Sequence, residues 1–399
     1  RGINVFEAPK HAVKDYKGLK FRFGAAMAQS FQSLSHSNND NEKASNLLYS
    51  IDPGFNTAMA NLTLDVQLTT GIRFNLVSYL STRHHNETRL KAGYLQIDKF
   101  PFDGKFWDRL MKVMTIKLGH MEINYGDAHF RRSDGGQAIY NPFMENYILD
   151  AYTSEVGAEL YIRKNCFFAM TGVSNGMAKG NVDSVVSTPY DGNVHKSPSI
   201  YLKAGVDKTF GEWLRTRLSA SFYHNGSSAG NTLFNGDRAG SNYFMVMEKA
   251  GAGVTYATNA FSGRLDPEFT KKVNALQLNA FIRLIRFELF ATYEAACGRT
   301  ANEESVRYVK QFAIDWVLRF GDNDNIFIGS RYNMVTARIP GIAENVKVDR
   351  AVMALGYFFT NNILLKCEFL DQVYQDFPLD DYRNEGKFKG FMVQAVIGF

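Results

Sequence analysis

Apolar and polar residues alternate one by one along most of this chain. Between Lys389 and the final residue, Phe391, Val393, Ala395, Ile397 and Phe399 fall on one face. Gly390, Met392, Gln394, Val396 and Gly398 fall on the other. Side chains of a strand point alternately to its two faces. The segment therefore reads as a strand with an apolar stripe and a mixed stripe, ending on a bare aromatic. The same pattern recurs far upstream. Ala58, Ala60, Leu62, Leu64, Val66 and Leu68 alternate with Asn61, Thr63, Asp65 and Gln67. A Thr69-Thr70-Gly71 turn follows, and Ile72, Phe74 and Leu76 resume the stripe opposite Arg73, Asn75, Tyr79 and Arg83. Such runs exceed the roughly six residues of soluble strands. They approach the roughly 9–11 residues of a tilted strand that crosses a bilayer.

A first strand is predicted from Leu19 to Gln32, with Leu19, Phe21, Phe23, Ala25 and Met27 outward and Lys20 and Arg22 inward. Tight turns fall at 163–165, 208–213, 284–285, 321–325 and 360–362. Long polar connections fall at 34–54, 126–150, 175–197 and 225–271. Within 101–114, Phe106, Leu110 and Val113 have helical spacing and predict a short helix. Ile116 and Leu118 face out and Lys117 faces in, but the phase slips at Gly119, which predicts a bulge there. Two short candidate strands, Tyr243–Glu248 and Val254–Thr258, alternate poorly, so 225–271 reads as one long, partly ordered loop. The sum is an all-β chain of about sixteen strands, with about eighteen as the alternative, closed as a transmembrane antiparallel barrel. Residues 1–18 are expected as a periplasmic tail and 19–399 as a single barrel. Short turns would face the periplasm and long loops the outside.

Composition agrees with that reading. Hydrophobic residues make up 45% and aromatics 14%, and only nine prolines interrupt the chain. Mean hydropathy is −0.24, and no apolar run is long enough for a membrane helix. Alternation hides a barrel from hydropathy. Phe210, Trp213, Phe320, Phe327, Tyr357, Phe358 and Phe359 cluster beside the tight turns, as an interfacial belt requires. The net charge of +5 is spread out and brings no nucleic-acid motif. Cys166, Cys297 and Cys367 are odd in number and far apart, so they read as free thiols. The polar start reads as a mature chain.

The densest chemistry lies in Gly126–Phe143. Arg131 and Arg132 are adjacent there, with Asp127, His129 and Asp134 nearby. Folded into the lumen, this loop would set two guanidiniums at a constriction and select ions by sign. Left outside, it is an ordinary solvated loop. Inward cations along the wall include Lys20, Arg22, Arg73, Lys117, Lys203, Arg215, Arg217, Arg283, Arg286, Arg331, Arg350 and Lys366. Inward acids include Asp65, Glu155, Glu159, Asp207, Glu288, Asp315 and Glu368, so cross-strand ion pairs are expected and any anion preference is mild. No catalytic motif, cofactor motif or metal-site spacing appears. His84-His85 with Glu87 and Asp127 with His129 are the nearest approaches to a metal or catalytic pair.

Three stretches carry a resemblance: HMEINYGDAHFRRSDGGQAIYNPF (120–143), AMANLTLDVQLTTGIRFNLVSYLSTRHHNET (58–88) and GYLQIDKFPF (93–102). They resemble the outer-membrane porin family of the Bacteroidota, distantly similar to the phosphate-selective porins. The resemblance implies a barrel in a Gram-negative outer membrane, in contact with lipid and lipopolysaccharide, that passes small solutes. The many inward acids depart from the phosphate-selective type. It also implies that the terminal Phe399 signals to the barrel-assembly machinery, and that Asp183-Ser184-Val185 matches an O-glycan acceptor at Ser184. A monomer or homotrimer, or a place in a larger complex with the lumen plugged by 126–150 and 225–271, are the expected assemblies.

Overall fold

The structure is a computed structural model of the 399-residue chain. It describes all residues except 1–2, 9, 11–12, 40–45, 82–87, 135, 178, 180–181, 238–239, 252, 256–258 and 260–262. The expected His84, His85 and Glu87 group and Arg83 therefore lie outside the described residues, as does part of the Val254–Thr258 candidate.

Sixteen strands form the wall. They are β1 (Lys20–Ser37), β3 (Met59–Thr69), β4 (Ile72–Ser81), β5 (Thr88–Ile97), β6 (Met114–Glu122), β7 (Ser154–Lys164), β8 (Phe167–Ser174) and β9 (Ser199–Phe210). The second half runs through β10 (Leu214–Asn225), β11 (Lys272–Leu284), β12 (Phe287–Arg299), β13 (Arg307–Phe320), β14 (Ile326–Ala337), β15 (Val346–Thr360), β16 (Ile363–Gln375) and β17 (Lys387–Gly398). A two-residue strand, β2 (Gly54–Phe55), pairs with β1 beside the wall. Each wall strand lies antiparallel to its neighbours in sequence. β17 closes the ring on β1, with Ala26 opposite Gly398 and Ser37 opposite Lys387. Closure leaves the sheet without an open edge strand, as a sheet in lipid requires.

The tight turns fall where the alternation breaks. β3 and β4 meet at Thr70-Gly71, and Gly71 takes a φ of +76° that its turn needs. β13 ends at Phe320 and β14 begins at Ile326; β15 ends at Thr360 and β16 begins at Ile363. The helical spacing of 101–114 yields α1 (Lys105–Met111) between β5 and β6. Among its described residues, 226–271 contributes no strand. The bulge expected at Gly119 is absent. β5 and β6 run in unbroken register from Gly93 opposite His120 to Ile97 opposite Ile116. The irregularity lies one strand earlier, where Val77 pairs with Ala92 but Ser78 pairs with Leu90. Gly119 is needed for another reason. Its φ is +136°, and a Cβ there would come 2.5 Å from the Gly93 carbonyl oxygen.

The outward stripe is apolar and uncovered by protein, as in Phe23, Leu218, Met353 and Phe369. In lipid this exposure costs nothing. The inward stripe is where the chain builds its core.

Candidate functional site

From β9 to β17 nearly every lumen-facing side chain is buried. Tyr201, Lys203, Arg217, Tyr223, Phe290, Glu294, Asp315, Asn333, Arg350, Lys366 and Glu368 are all inaccessible. Segments from outside the wall fill the space in front of them.

The first is the N-terminal stretch. It does not hang outside the barrel; Ile3 and Phe6 are buried within it. The Phe6 ring packs edge-on to Phe281 at 5.1 Å and lies 4.5 Å from the Arg217 guanidinium. Glu7 stands 2.9 Å from Lys203 and 2.6 Å from Arg217. Asn4 donates to Glu288 at 2.6 Å, and Arg215 donates to the Asn4 carbonyl at 3.0 Å. Burial alone would raise the Glu7 pKa, but Lys203 and Arg217 outweigh it and hold the carboxyl at about 2.

The second segment is 123–150, the arginine-rich loop, which folds inward. Its Asp127 is fully buried, 2.7 Å from Lys203 and 2.8 Å from Arg217. Burial opposes its charge, yet the two cations hold its pKa well below the usual carboxylate range. The loop's backbone is read by polar side chains of the wall. Met144 N–H donates to Glu368 at 2.7 Å, Ile148 N–H to Asn333 at 2.6 Å and Leu149 N–H to Gln311 at 3.0 Å. Lys366 donates to the carbonyls of Ala138, Asn141 and Phe143 at 3.2, 3.0 and 3.3 Å. Arg331 grips Asp315 through two bonds of 2.8 and 2.9 Å and donates to the Glu145 carbonyl at 2.7 Å. Buried backbone must be satisfied, and here inward wall residues supply the partners.

The third is 226–271. Tyr243 donates to Glu368 at 2.6 Å, and Phe244 N–H donates to Gln32 at 3.0 Å. Asn242 donates to the Met144 carbonyl at 2.6 Å, which ties this loop to the second segment.

The two adjacent arginines have different surroundings. Arg132 makes a two-pronged contact to Asp150 at 2.9 and 2.7 Å and lies 4.0 Å from the Tyr152 ring. Burial lowers its pKa, but Asp150 overrides burial and raises it. Arg131 has no carboxylate within ion-pair distance among the described residues. Its guanidinium lies over the Phe290 ring at 4.2 Å and donates to the Asp127 carbonyl at 3.4 Å. Burial pulls its pKa below the ordinary value. Beside both lies a cavity of about 20 Å³, room for one water. His129 stands 3.0 Å from Glu122 and 2.8 Å from Asn124, not against Asp127, so the structure does not assemble the Asp127 and His129 pair.

The filling is one-sided. On β3, β4, β6 and β7, lumen-facing Thr63, Asp65, Arg73, Asn75, Val77, Lys117 and Tyr161 stay half-exposed, as does Tyr94 on β5. This strip opens at the turn end beside Lys14, Lys20, Arg22 and Arg73, in a cavity of about 490 Å³. Among the described residues none of these cations has an ion-pair partner. Toward the other end the strip stops where Asp134 pairs with Lys91 and accepts from Asn61 at 3.2 Å. Asp134, Lys91, Asn61 and Tyr79 are all buried.

The remaining sequence candidates scatter. Arg286 is a correction: it lies in the β11–β12 turn, half-exposed and 3.0 Å from Asp324, not on the lumen wall. A turn position follows a strand's alternation on paper but leaves the sheet in space. Arg215 pairs with Asp207 at 2.7 Å, and Glu288 with Arg319 at 3.3 Å. Ser184 is exposed in the 175–198 loop. Phe399 is exposed and exchanges backbone hydrogen bonds with Ala25 at 3.0 and 3.1 Å. The N-terminal segment's place in the lumen had no signal in its own sequence. The excess of cations on β9 and β10 was the signal that could have found it, since buried Lys203 and Arg217 require anions from somewhere.

No family model and no curated protein matches the chain. Solved structures do match its fold. One is the outer membrane channel DcaP of Acinetobacter baumannii, at 12% identity and a TM-score of 0.59, over 98% of this chain and 100% of that one. Another is an anion-selective porin of Comamonas acidovorans, at 10% identity and a TM-score of 0.56, over 96% and 100%. A third is OmpT of Vibrio cholerae in its trimer form, at 10% identity and a TM-score of 0.55, over 96% and 100%. The chain has the fold of an outer-membrane porin. A closed barrel with an outward apolar band is the form in which strands cross the outer membrane of a Gram-negative cell.

Proposed function

We propose that the chain is a porin of low conductance, passing small hydrophilic solutes by diffusion along the β3–β7 side of its lumen. The observation that carries this is the half-exposed strip of Asp65, Arg73, Asn75, Tyr94 and Lys117, which ends at the buried Asp134 and Lys91 pair. The pair acts as the narrow point, where the inward loop constricts the path. The unpaired Lys20, Arg22 and Arg73 at the periplasmic mouth give a mild preference for anions, because fixed charge at a narrow entrance raises the local counter-ion concentration. A homotrimer suits this reading, since OmpT, similar in fold, is described in a trimer form.

The second reading, a barrel serving as a subunit of a larger outer-membrane complex, is favoured by the filled β9–β17 half. Planar bilayers separate the two. The wild type should show small steps, and Asp134→Asn should enlarge them by loosening the loop from Lys91. In a salt gradient the reversal potential should lean toward anions. If both proteins insert, migrate as folded barrels on unheated gels and show no steps, the subunit reading replaces the porin.

A further inference from the structure

The β5–β6 connection is unlike the other turns at its end of the barrel. It carries α1, and every residue from Pro101 to Asp103 and from Lys105 to Arg109 is exposed. Four rings form a cluster there. Phe100 and Phe102 stack at 4.9 Å, Trp107 sits edge-on to both at 5.3 and 5.5 Å, and Phe106 meets Trp107 at 5.1 Å. The cluster is not a core: Phe106 is 67% exposed, Phe102 48% and Trp107 39%. Apolar rings packed on one another with water on the far side mark a surface awaiting a partner.

The helix has two distinct stripes. Phe106 and Leu110 follow the spacing of one helical face, and Val113 continues it just past the helix end. Lys105, Arg109 and Lys112 follow the same spacing on the adjacent face, and all three are exposed. Met111 is the residue the helix buries. Basic side chains beside an aromatic face suit a helix lying in the headgroup zone of a bilayer, its rings reaching the acyl boundary and its cations reaching phosphates. A protein partner would need no such pairing. The position agrees. The cluster lies at the turn end, where outward Leu68, Ile162, Phe210 and Trp213 mark the lower edge of the lipid-facing band.

We propose that α1 and its aromatic cluster form a second membrane contact, a hook that docks into the bilayer leaflet at the turn end and takes phospholipid headgroup phosphates on Lys105, Arg109 and Lys112. The inference goes beyond solute passage; it needs only that the barrel sits in a bilayer. The rings add anchoring area next to β3–β6, the side of the wall with the least filling behind it.

The test uses the full chain with Trp213→Phe and Trp316→Phe, which leaves Trp107 as the sole tryptophan. The barrel is folded into vesicles of phosphatidylethanolamine and phosphatidylglycerol, with or without brominated acyl chains. Bromolipid should quench Trp107 strongly and aqueous acrylamide weakly. Adding Lys105→Glu, Arg109→Glu and Lys112→Glu should reverse that order, since each cation near an anionic surface shifts docking by roughly fivefold. Quenching by acrylamide alone overturns the proposal. Quenching by neither reagent means that protein covers the cluster, and also overturns it. A companion protein keeping only Trp213 reports on the barrel itself. If bromolipid leaves Trp213 untouched, insertion has failed and the membrane-barrel reading falls with the hook.

Discussion

Glu7 and Arg217 meet at 2.6 Å inside the barrel although 210 positions separate them in sequence. Arg217 in turn holds Asp127 at 2.8 Å, so one wall arginine fastens two inward segments at once. Lys203 does the same from the neighbouring strand, at 2.9 Å to Glu7 and 2.7 Å to Asp127. The cluster is the common anchor of the N-terminal segment and the arginine-rich loop.

Acid should release the N-terminal segment first. The folded pKa of Glu7 is depressed from 4.5 to about 2, so its contribution is complete above pH 4.5 and is lost as pH falls toward 2. A shift of that size corresponds to about 3 kcal/mol. Protection of the amides of residues 3–8, taken relative to the intrinsic exchange rate at each pH, should be high at pH 6 and fall below about pH 4, while the β11–β13 amides stay protected. Glu7→Gln should show little protection at either value. Protection that does not change with pH would show that Glu7 is not the fastener.

The two adjacent arginines should differ in stability. Arg132→Ala removes the two-pronged partner of buried Asp150, leaving it Arg264 at 3.3 Å, the Asp237 N–H at 3.2 Å and Asn146 at 3.4 Å, and should cost about 3–5 kcal/mol. Arg131→Ala removes a cation over rings and one long hydrogen bond, and should cost about 1–2 kcal/mol. Urea unfolding in lipid or detergent, followed by gel mobility, measures both. Equal losses would contradict the geometry.

Charge at the mouth should set ion preference more than charge in the loop. Arg22→Glu with Arg73→Glu reverses two unpaired cations where the strip opens. The reversal potential should move toward cations, most at low salt, where the screening length is about 30 Å near 0.01 M. Arg131→Gln should move it less. The opposite ranking would put the selective point at the loop.

Removing Phe399 should lower the yield of folded barrel. Its backbone exchanges two hydrogen bonds with Ala25 at the closing seam, and its ring is exposed to lipid. Heat-modifiable mobility of outer-membrane fractions checks this. Phe399→Tyr, which keeps an aromatic ring, should restore most of the yield.

The wall was legible because one physical rule governs it. Outward residues meet lipid and inward ones do not, so Leu62, Leu64 and Asp65 announce their faces without further knowledge. The turns at Gly71, Asn325 and Asn361 broke that rule and so marked themselves. The lumen obeys no period. Glu368 serves Met144 and Tyr243, and Asn333 serves Ile148; these are non-local hydrogen bonds to irregular backbone. Sequence showed that Arg131 and Arg132 were unusual but left open whether their loop lay in or out. Arg286 misled because parity carries no information past the end of a strand. At Gly119 the pattern did mark something, a close backbone approach and not an inserted residue.

The inward loop also sets a timetable. Wall strands pair with their sequence neighbours, so the sheet can zip up as the chain arrives. Residues 138–149 cannot settle until Gln311, Arg331, Asn333, Lys366 and Glu368 exist to receive them. Contacts so distant along the chain carry the entropy of closing long loops and form slowly. The interior is therefore expected to set late, once β13 to β16 are in the sheet. That order predicts a hollow stage, a barrel whose wall stands before its lumen is filled.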